Sequence, residues 1–279
     1  MTHPYDTLMD RLAELAVKAV QDANAALQAY WLAWACDLLL HAQLPVLTCG
    51  ALVQRALAAS PLDLWAQGKA LPALVQLVQD GALLEGIWRA PLPQRGVASW
   101  EAFAPYRSMV LQVPQAYQPY VDEVWGEASR LWQAACWLYG GATPAHLTIP
   151  MEVLRGAVLF EAGFYFACHE YFETLWGRTQ DTASDFYQGL IQVAVAMCHL
   201  QSHNVRGALK LLHSGMARLQ PYPDVYQGLQ LGVFLRQLAS LQRDIAALSD
   251  ATAYQFDPVQ VPCLFPDLDR WFKTSHMHR

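Results

Sequence analysis

The stretch CHEYFETLW, from Cys168 to Trp176, places one histidine close to two glutamates. His169 and Glu173 are four residues apart, so on a helix their side chains share one face, with Glu170 one step round. An imidazole beside carboxylates can hold a metal, move a proton, or join two helices through buried hydrogen bonds. The rest of the sequence decides how far each of these uses is supported.

A metal site would need more ligands than this stretch supplies. Helices of the H-E-x-x-H type bind zinc through a second histidine four residues after the first, and this chain has Glu173 there. A further ligand would have to come from elsewhere, and His199 on the next predicted helix is the candidate. The sequence therefore predicts no bound metal and no cofactor. It leaves open a metal-dependent, hydrolase-like enzyme with Glu170 or Glu173 as general base and His169 as ligand or proton shuttle.

The helix that follows carries a polar stripe on an otherwise apolar surface. In YQGLIQVAVAMCHL, the residues Gln188, Gln192 and His199 recur at steps of four and seven. Such buried polar groups need partners, and the histidine and glutamates of the preceding helix could supply them. We favour this structural network, which would set the register between two helices and do no chemistry. A pocket for a small polar molecule around His169 is the third alternative. Its lining would be Tyr165, Trp176, Gln188, Gln192 and His199.

Four further residues near the motif are expected to be structural. Trp176, seven residues after His169, is expected in the core. Cys168 points about 100° away from His169 round the helix, so the two do not form a thiolate–imidazole pair. Gly189 and Gly207 lie inside predicted helices at a cost of about 1 kcal/mol each, and close approach of two helices is the simplest reason for them.

The composition favours a protein with large buried cores. Hydrophobic residues make up 54% of the 279 positions and charged residues only 15%, against about 25% in typical soluble chains. So little charge also favours a surface that is buried against another protein or a second copy of the chain. The net charge of −6 and the lack of a basic run argue against nucleic acid as a partner.

No uninterrupted apolar segment of the sequence is long enough to cross a membrane. The most apolar run, AYWLAWACDLLL, is uninterrupted only from Ala29 to Cys36, whereas a bilayer needs about 20 residues. The start, MTHPYDTLMD, has neither the basic nor the apolar region of a secretory signal. The 6 cysteines are scattered among apolar neighbours and never form C-x-x-C. We therefore expect a cytoplasmic protein with reduced cysteines.

Helical periodicity runs along the chain, which predicts an all-α protein of two helical halves. The segment from Tyr5 to about Gln43 has no glycine and no internal proline, and one long amphipathic helix is expected there. Its second half carries Tyr30, Trp31 and Trp34 on more than one side. Such an area must be covered by the second half of the chain or by a partner.

The domain boundaries are read from glycine and proline. A helix is expected from about Tyr120 to Tyr139, and GGATPAHLTIP after it is expected to be a hinge. We expect a helical N-terminal domain over 1–141, a helical domain over 150–249 that forms an antiparallel multi-helix bundle, and an irregular C-terminal tail over 250–279. Within the first domain, a winged helix is an alternative for 45–92. We prefer an ordinary helical subdomain because no recognition helix there is basic.

Local signals mark helix ends in the second half. Gly163 is expected to cap the helix MEVLRGAVLFEAG, and the motif helix is then expected over roughly 164–176. Asn204 is expected to cap the helix VRGALKLLHSGMARLQ. The last helix is expected over about 226–247.

Two long blocks, LFEAGFYFACHEYFETLW and DFYQGLIQVAVAMCHLQSHNVRGALKLL, carry a specific order of residues. Their distinctive positions are Phe160, Gly163, Tyr165, His169, Glu170, Glu173 and Trp176, then Phe186, Gln188, Gly189, Leu190, Ile191, Gln192, His199, Asn204, Gly207, Ala208, Leu211 and Leu212. Over about residues 150–223 the chain resembles the family of domain of unknown function 309. The resemblance implies a compact all-helical domain with a polar cluster as its candidate site, and no established reaction. Family members often carry acids where this chain has Phe164 and Ala167, so a site that used those acids would be incomplete here.

The sequence favours a binding role over a catalytic one without deciding whether the protein is an enzyme. We expect a non-catalytic helical binding or assembly module that acts through protein–protein contact. We also expect a dimer or a stable complex with another protein, in which the first half supplies most of the contact. If the protein is an enzyme, the candidate catalytic residues are His169, Glu170 and Glu173.

Overall fold

The computed structural model describes residues 3–41, 47–59, 110–111, 115–140, 148–179, 183–248, 254–268 and 270. Helices make up nearly all of the regular structure in these ranges, and the one strand pair there has two residues on each side. The predicted all-α class is therefore confirmed. The chain divides into two compact units between Thr143 and Pro144, and each is described by itself.

The first unit is built around a helix that is buried on nearly all sides. Its described helices are α1 (Pro4–Gln21), α2 (Ala23–His41), α3 (Cys49–Ala59) and α4 (Val121–Tyr139). The other three pack against α2, where Tyr30, Trp31 and Trp34 are only 3%, 0% and 8% exposed. The Tyr30 ring lies 4.6 Å from that of Trp132 on α4, measured between centroids. The chain itself covers these rings, so of the two expected alternatives, cover by the chain or by a partner, the rings do not need a partner. Although α2 is apolar, no helix in the described ranges is long and apolar enough to cross a membrane.

The first two helices are separated at Asp22, where one continuous helix was expected. Asp22 is extended, with φ −136° and ψ 123°. Its carbonyl accepts the N–H of Ala26 at 3.1 Å, so α2 starts from this residue. Aspartate is favoured at such a position because its side chain can accept the first N–H groups of a helix. The expectation of a single helix is wrong because it relied on the absence of glycine and proline alone.

A short antiparallel pair joins two distant parts of the first unit. Strand β1 (Leu47–Thr48) pairs with β2 (Val110–Leu111), with Leu47 opposite Leu111 and Thr48 opposite Val110. Helix α3 begins directly after β1. Most of the 45–92 segment lies outside the described residues, so the winged-helix alternative stays a prediction.

The second unit is a bundle in which helices that follow one another along the chain pack together. Short turns connect most of them, which makes consecutive neighbours antiparallel, as predicted. Its described helices are α5 (Met151–Glu161), α6 (Tyr165–Trp176), α7 (Ala183–Gln201), α8 (Val205–Leu219) and α9 (Leu231–Ala246).

Gly163 ends α5 and sets where the motif helix begins. It has a left-handed φ of 81°. The N–H of Gly163 donates to the carbonyl of Phe160 at 3.0 Å, and the N–H of Phe164 donates to that of Leu159 at 2.9 Å. This pair of bonds is a Schellman motif, which confirms the predicted cap. Helix α6 starts two residues later, at Tyr165.

Two positions of the bundle, Gly189 and Gly207, exclude a larger side chain for different reasons. A Cβ added at Gly189 would lie 2.6 Å from Cγ of Leu219 and 3.2 Å from the carbonyl oxygen of Gly215, which confirms close approach of α7 and α8. At Gly207 the added Cβ would instead meet Nδ2 of Asn204 at 2.7 Å. Asn204 caps α8 as predicted, with its Oδ1 accepting the N–H of Gly207 at 3.0 Å. The expected helix–helix contact at Gly207 is therefore wrong, and the cap itself needs the space.

The last helix, α9, begins at Leu231, later than expected. Gln227 and Gly228 have φ values of 51° and 78°. The flanking residues Tyr226 and Leu229 exchange backbone hydrogen bonds of 3.2 and 2.9 Å. Two successive positive φ values are typical of a type I′ turn, so this segment cannot start a helix.

The C-terminal segment 254–268 packs onto the second unit. It has one short 3₁₀ helix, Pro258–Gln260. One carboxylate oxygen of Glu161 accepts the N–H groups of Leu264 at 2.6 Å and Phe265 at 2.8 Å. The side chains of Leu264, Phe265 and Leu268 are 1%, 4% and 0% exposed, so this part of the tail belongs to the core.

Candidate functional site

Helix α6 positions the motif by burying one face and exposing the other. Its buried face comprises Tyr165, Ala167, Cys168, Tyr171 and Phe172. Phe172 lies directly against α5, because a Cβ added at Gly156 would be 2.2 Å from its Cζ. The opposite face, which we call the α6 face, comprises Phe166, His169, Glu170, Glu173 and Trp176. This orientation places the histidine and both glutamates at or near the surface.

His169 and Glu173 form the pair that their spacing predicts. Nε2 of His169 lies 3.2 Å from Oε1 of Glu173, and the two side chains are 19% and 52% exposed. A half-exposed pair of this spacing contributes about 0.3–0.5 kcal/mol to the helix. The other ring nitrogen, Nδ1, is buried and has no hydrogen-bond partner within the described part of the chain. One nitrogen is therefore held by a carboxylate and the other faces the interior, which does not suit a proton shuttle to an external substrate.

Gln192 carries a second buried polar atom of this kind. Its Oε1 has no hydrogen-bond partner in the described ranges. The register of α6 against α7 is shown by Trp176, whose Nε1 donates to Oγ of Ser184 at 2.9 Å. Counting seven residues back along α6 and seven forward along α7 places His169 opposite Ile191. Gln192 follows Ile191 along α7, and it also borders α8, since a Cβ added at Gly215 would lie 3.3 Å from its Cβ.

His199 belongs to a different local arrangement. Its Nδ1 lies 3.0 Å from Nδ2 of Asn204, the residue that caps α8. In the same register Tyr165, the first residue of α6, lies opposite Val195, so His199 is one turn beyond the start of α6. No hydrogen bond among the described residues joins His199 to His169. His199, the candidate for a further metal ligand, thus lies beside the residue that caps α8.

The remaining predicted residues differ in how accessible they are. Tyr165 is 4% exposed and packs against the ring of Phe160 at 5.2 Å between centroids, so it is part of the core. Gln188 is half-buried, and Glu170 is exposed. Trp176 was expected in the core, but it is 38% exposed, and this expectation is wrong.

Phe166 is the residue of the α6 face that sequence reasoning missed. It is 49% exposed, and its ring centroid lies 5.5 Å from that of His169. The sequence did contain a signal for its exposure. Phe166 is three residues before His169, so the two share one face of α6, opposite the face that the helix buries. An exposed phenylalanine against the histidine gives the α6 face apolar character that its glutamates alone do not suggest.

The described residues do not assemble a metal centre. No group of three or more histidine, cysteine, aspartate or glutamate side chains in the described ranges could hold a metal ion. The His169–Glu173 pair supplies two ligands, and His199 is held elsewhere. An ion at this pair would need a third ligand from outside the described residues.

The thiols beside the two histidines are not activated. Cys168 is buried, and its Sγ donates to the carbonyl of Gly156 at 3.4 Å, away from His169. Burial raises the pKa of the Cys168 thiol well above its usual value. Burial likewise raises the pKa of Cys198 to about 11. Because the thiolate is the nucleophile, neither cysteine is suited to covalent catalysis near neutral pH.

Residues 153–211 match the model of a protein family described as a domain of unknown function (DUF309). The matched segment runs from α5 into α8 and includes the whole α6 face. The family description assigns no activity, so it adds none to the geometry. No curated protein and no solved structure matches the chain.

Proposed function

We propose that this protein is a non-catalytic helical binding module that acts through contact with another protein. The observation that carries the proposal is the α6 face, where Phe166 and Trp176 remain 49% and 38% exposed on a well-packed bundle. Exposed large apolar side chains that share one face are typical of interaction sites. Aromatic residues are also enriched where proteins bind one another.

The rigidity of the α6 face supports a binding role. The indole of Trp176 is oriented by its hydrogen bond to Ser184, and the ring of Phe166 lies beside the His169 ring. Side chains that are already oriented lose little conformational freedom when a partner binds. The groups that could do chemistry are held in local pairs, His169 with Glu173 and His199 with Asn204.

We also infer a cytoplasmic location for the module. None of the six cysteines, all of which lie in the described part of the chain, forms a disulfide. Reduced thiols are ordinary in a reducing compartment and unusual in secreted proteins.

A photo-crosslinking amino acid at position 166 tests the binding role in the full-length protein. A carbene or benzophenone probe there should give an adduct of defined mass in cells, and Trp176→Ala should remove it. The matched control places the probe at Val259, which is 76% exposed on the C-terminal segment. Equal labelling at 166 and 259, or none at 166, would contradict a binding role for the α6 face.

A second candidate function is the binding of a small polar molecule between α6 and α7. It is favoured by the buried polar atoms Nδ1 of His169 and Oε1 of Gln192, which have no hydrogen-bond partner within the described residues. Buried polar groups are normally satisfied. When Nε2 of His169 donates to Glu173, the neutral ring accepts at Nδ1, as Oε1 of Gln192 does, so a molecule with two hydrogen-bond donors would satisfy both atoms. Native mass spectrometry of the purified protein should then show a retained molecule that Gln192→Leu releases. Identical spectra of the two proteins would exclude this candidate.

A further inference from the structure

We infer that the α6 face takes a basic amphipathic segment of another protein, one that carries lysine or arginine between apolar residues. This inference rests on the proposed binding function and names the chemistry of the partner. Its basis is the order of side chains along the face, where carboxylates lie between two exposed aromatic rings.

The middle of the α6 face carries two carboxylates, and no basic side chain of α6 itself offsets their charge. Helix α6 contains no lysine or arginine. Glu170 is exposed and has no ion-pair partner within the described residues. Glu173 is paired with His169, which carries charge only when protonated. A partner that supplies guanidinium or ammonium groups here would replace water with charge-assisted hydrogen bonds.

The same charge argues against a second copy of this chain as the occupant. If two α6 helices paired antiparallel about a two-fold axis, Phe166 of one copy would meet Trp176 of the other. Glu173 of each copy would then lie opposite His169 of its partner, and Glu170 would lie within one residue of the partner's Glu173, which would bring four carboxylates close together. Like charges at an interface are costly, so self-pairing is disfavoured. Nucleic acids and anionic membranes are disfavoured for the same reason.

The dimensions of the face define the partner further. Phe166 and Trp176 are ten residues apart, which is about 15 Å along a helix. A partner helix of about three turns would span this length with one apolar residue at each end. Arginine suits the middle better than lysine, because its planar group can bind a carboxylate with two hydrogen bonds and stack on an aromatic ring.

An unbiased peptide selection against the full-length protein tests the inference. The probe is a displayed library of random peptides of about 16 residues, long enough for the 15 Å span. The expected consensus has lysine or arginine between apolar residues. The double variant Glu170→Gln with Glu173→Gln, which keeps the size of both side chains, should weaken the selected peptides by about tenfold or more. The control Asp244→Asn, an exposed acid on α9, should leave their affinity unchanged.

Each other outcome of the selection counts against the inference. No enrichment, a consensus without basic residues, or affinity unchanged by the double variant would overturn it. Circular dichroism of each variant confirms that the helices are intact. If the probe at position 166 gives its adduct but the selected peptides are not basic, the binding function stands and the basic partner is wrong. If neither experiment succeeds, both proposals fail.

Discussion

Gly156→Ala is expected to destabilise the second unit, although alanine is the better helix former. The added Cβ would lie 2.2 Å from Cζ and 2.4 Å from Cε1 of Phe172, whereas real contacts of a Cβ stay above 3.0 Å. Phe172 is 0% exposed, so its ring cannot turn out into solvent. Either the ring or α6 itself must move away from α5.

The size of the effect follows from two opposing terms. Alanine stabilises a helix interior by about 1 kcal/mol relative to glycine. Overpacking a core costs about 1–3 kcal/mol, and the close approach of the ring to position 156 places this case at the upper end. The free energy of unfolding should therefore fall by about 1–2 kcal/mol. Urea denaturation followed by circular dichroism would show a midpoint lower by roughly 0.5–1 M, for a slope of about 2 kcal/mol/M.

Two further variants make the reasoning open to refutation. Gly126→Ala is the matched control, because an added Cβ there meets no atom within 4 Å, and it should stabilise the protein by about 1 kcal/mol. Phe172→Leu should relieve the contact, so that the double variant with Gly156→Ala is at least about 1 kcal/mol more stable than the sum of the single effects. If Gly156→Ala stabilises the protein as much as Gly126→Ala does, Phe172 does not pack on α5 and the orientation of α6 is wrong.

Three other predictions concern single side chains. His203→Gly should raise the free energy of unfolding by about 0.5–1 kcal/mol, because His203 holds a left-handed φ of 58° after α7; an unchanged or lower urea midpoint would count against it. Glu173→Ala should lower that free energy by no more than about 0.5 kcal/mol, since the carboxylate is 52% exposed; a loss above about 1 kcal/mol in the same titration would indicate a buried network instead. Cys168 and Cys198 should react slowly with a thiol reagent at mildly alkaline pH in the native protein. Burial raises the pKa of both thiols, so little of the reactive thiolate is present at that pH. Labelling of either cysteine as fast as in denaturant would refute that burial.

The helix ends that local chemistry determines could be read from the sequence. Gly163 and Asn204 act through backbone groups within a few residues, so their types alone predict the caps. The break at Asp22 was missed because an aspartate is compatible with both a helix interior and a helix start. The turn at Gln227 was missed because glutamine rarely adopts a positive φ, and Gly228 was the single local signal of a type I′ turn.

The candidate site could be predicted only where it is local. The His169–Glu173 pair follows from a spacing of four on one helix. The position of His199 depends on how far α7 extends past the start of α6. The length of the turn between the two helices sets this register of α7 against α6. The exposure of Phe166 and Trp176 depends on which neighbours cover α6, and no property of the two residues decides it.

The carboxylate of Glu161 also has a consequence for how the chain matures during synthesis. The two N–H groups that it accepts lie 103 and 104 residues further along the chain. Chains emerge from the ribosome N-terminus first, at about 5–20 residues per second. Helix α5 therefore emerges several seconds or more before Leu264 and Phe265 do. Helices α6 to α9 emerge in that interval. Until then the apolar surface beneath that segment is open to chaperones or to other nascent chains. A chain truncated before Leu264 would leave this apolar surface exposed permanently.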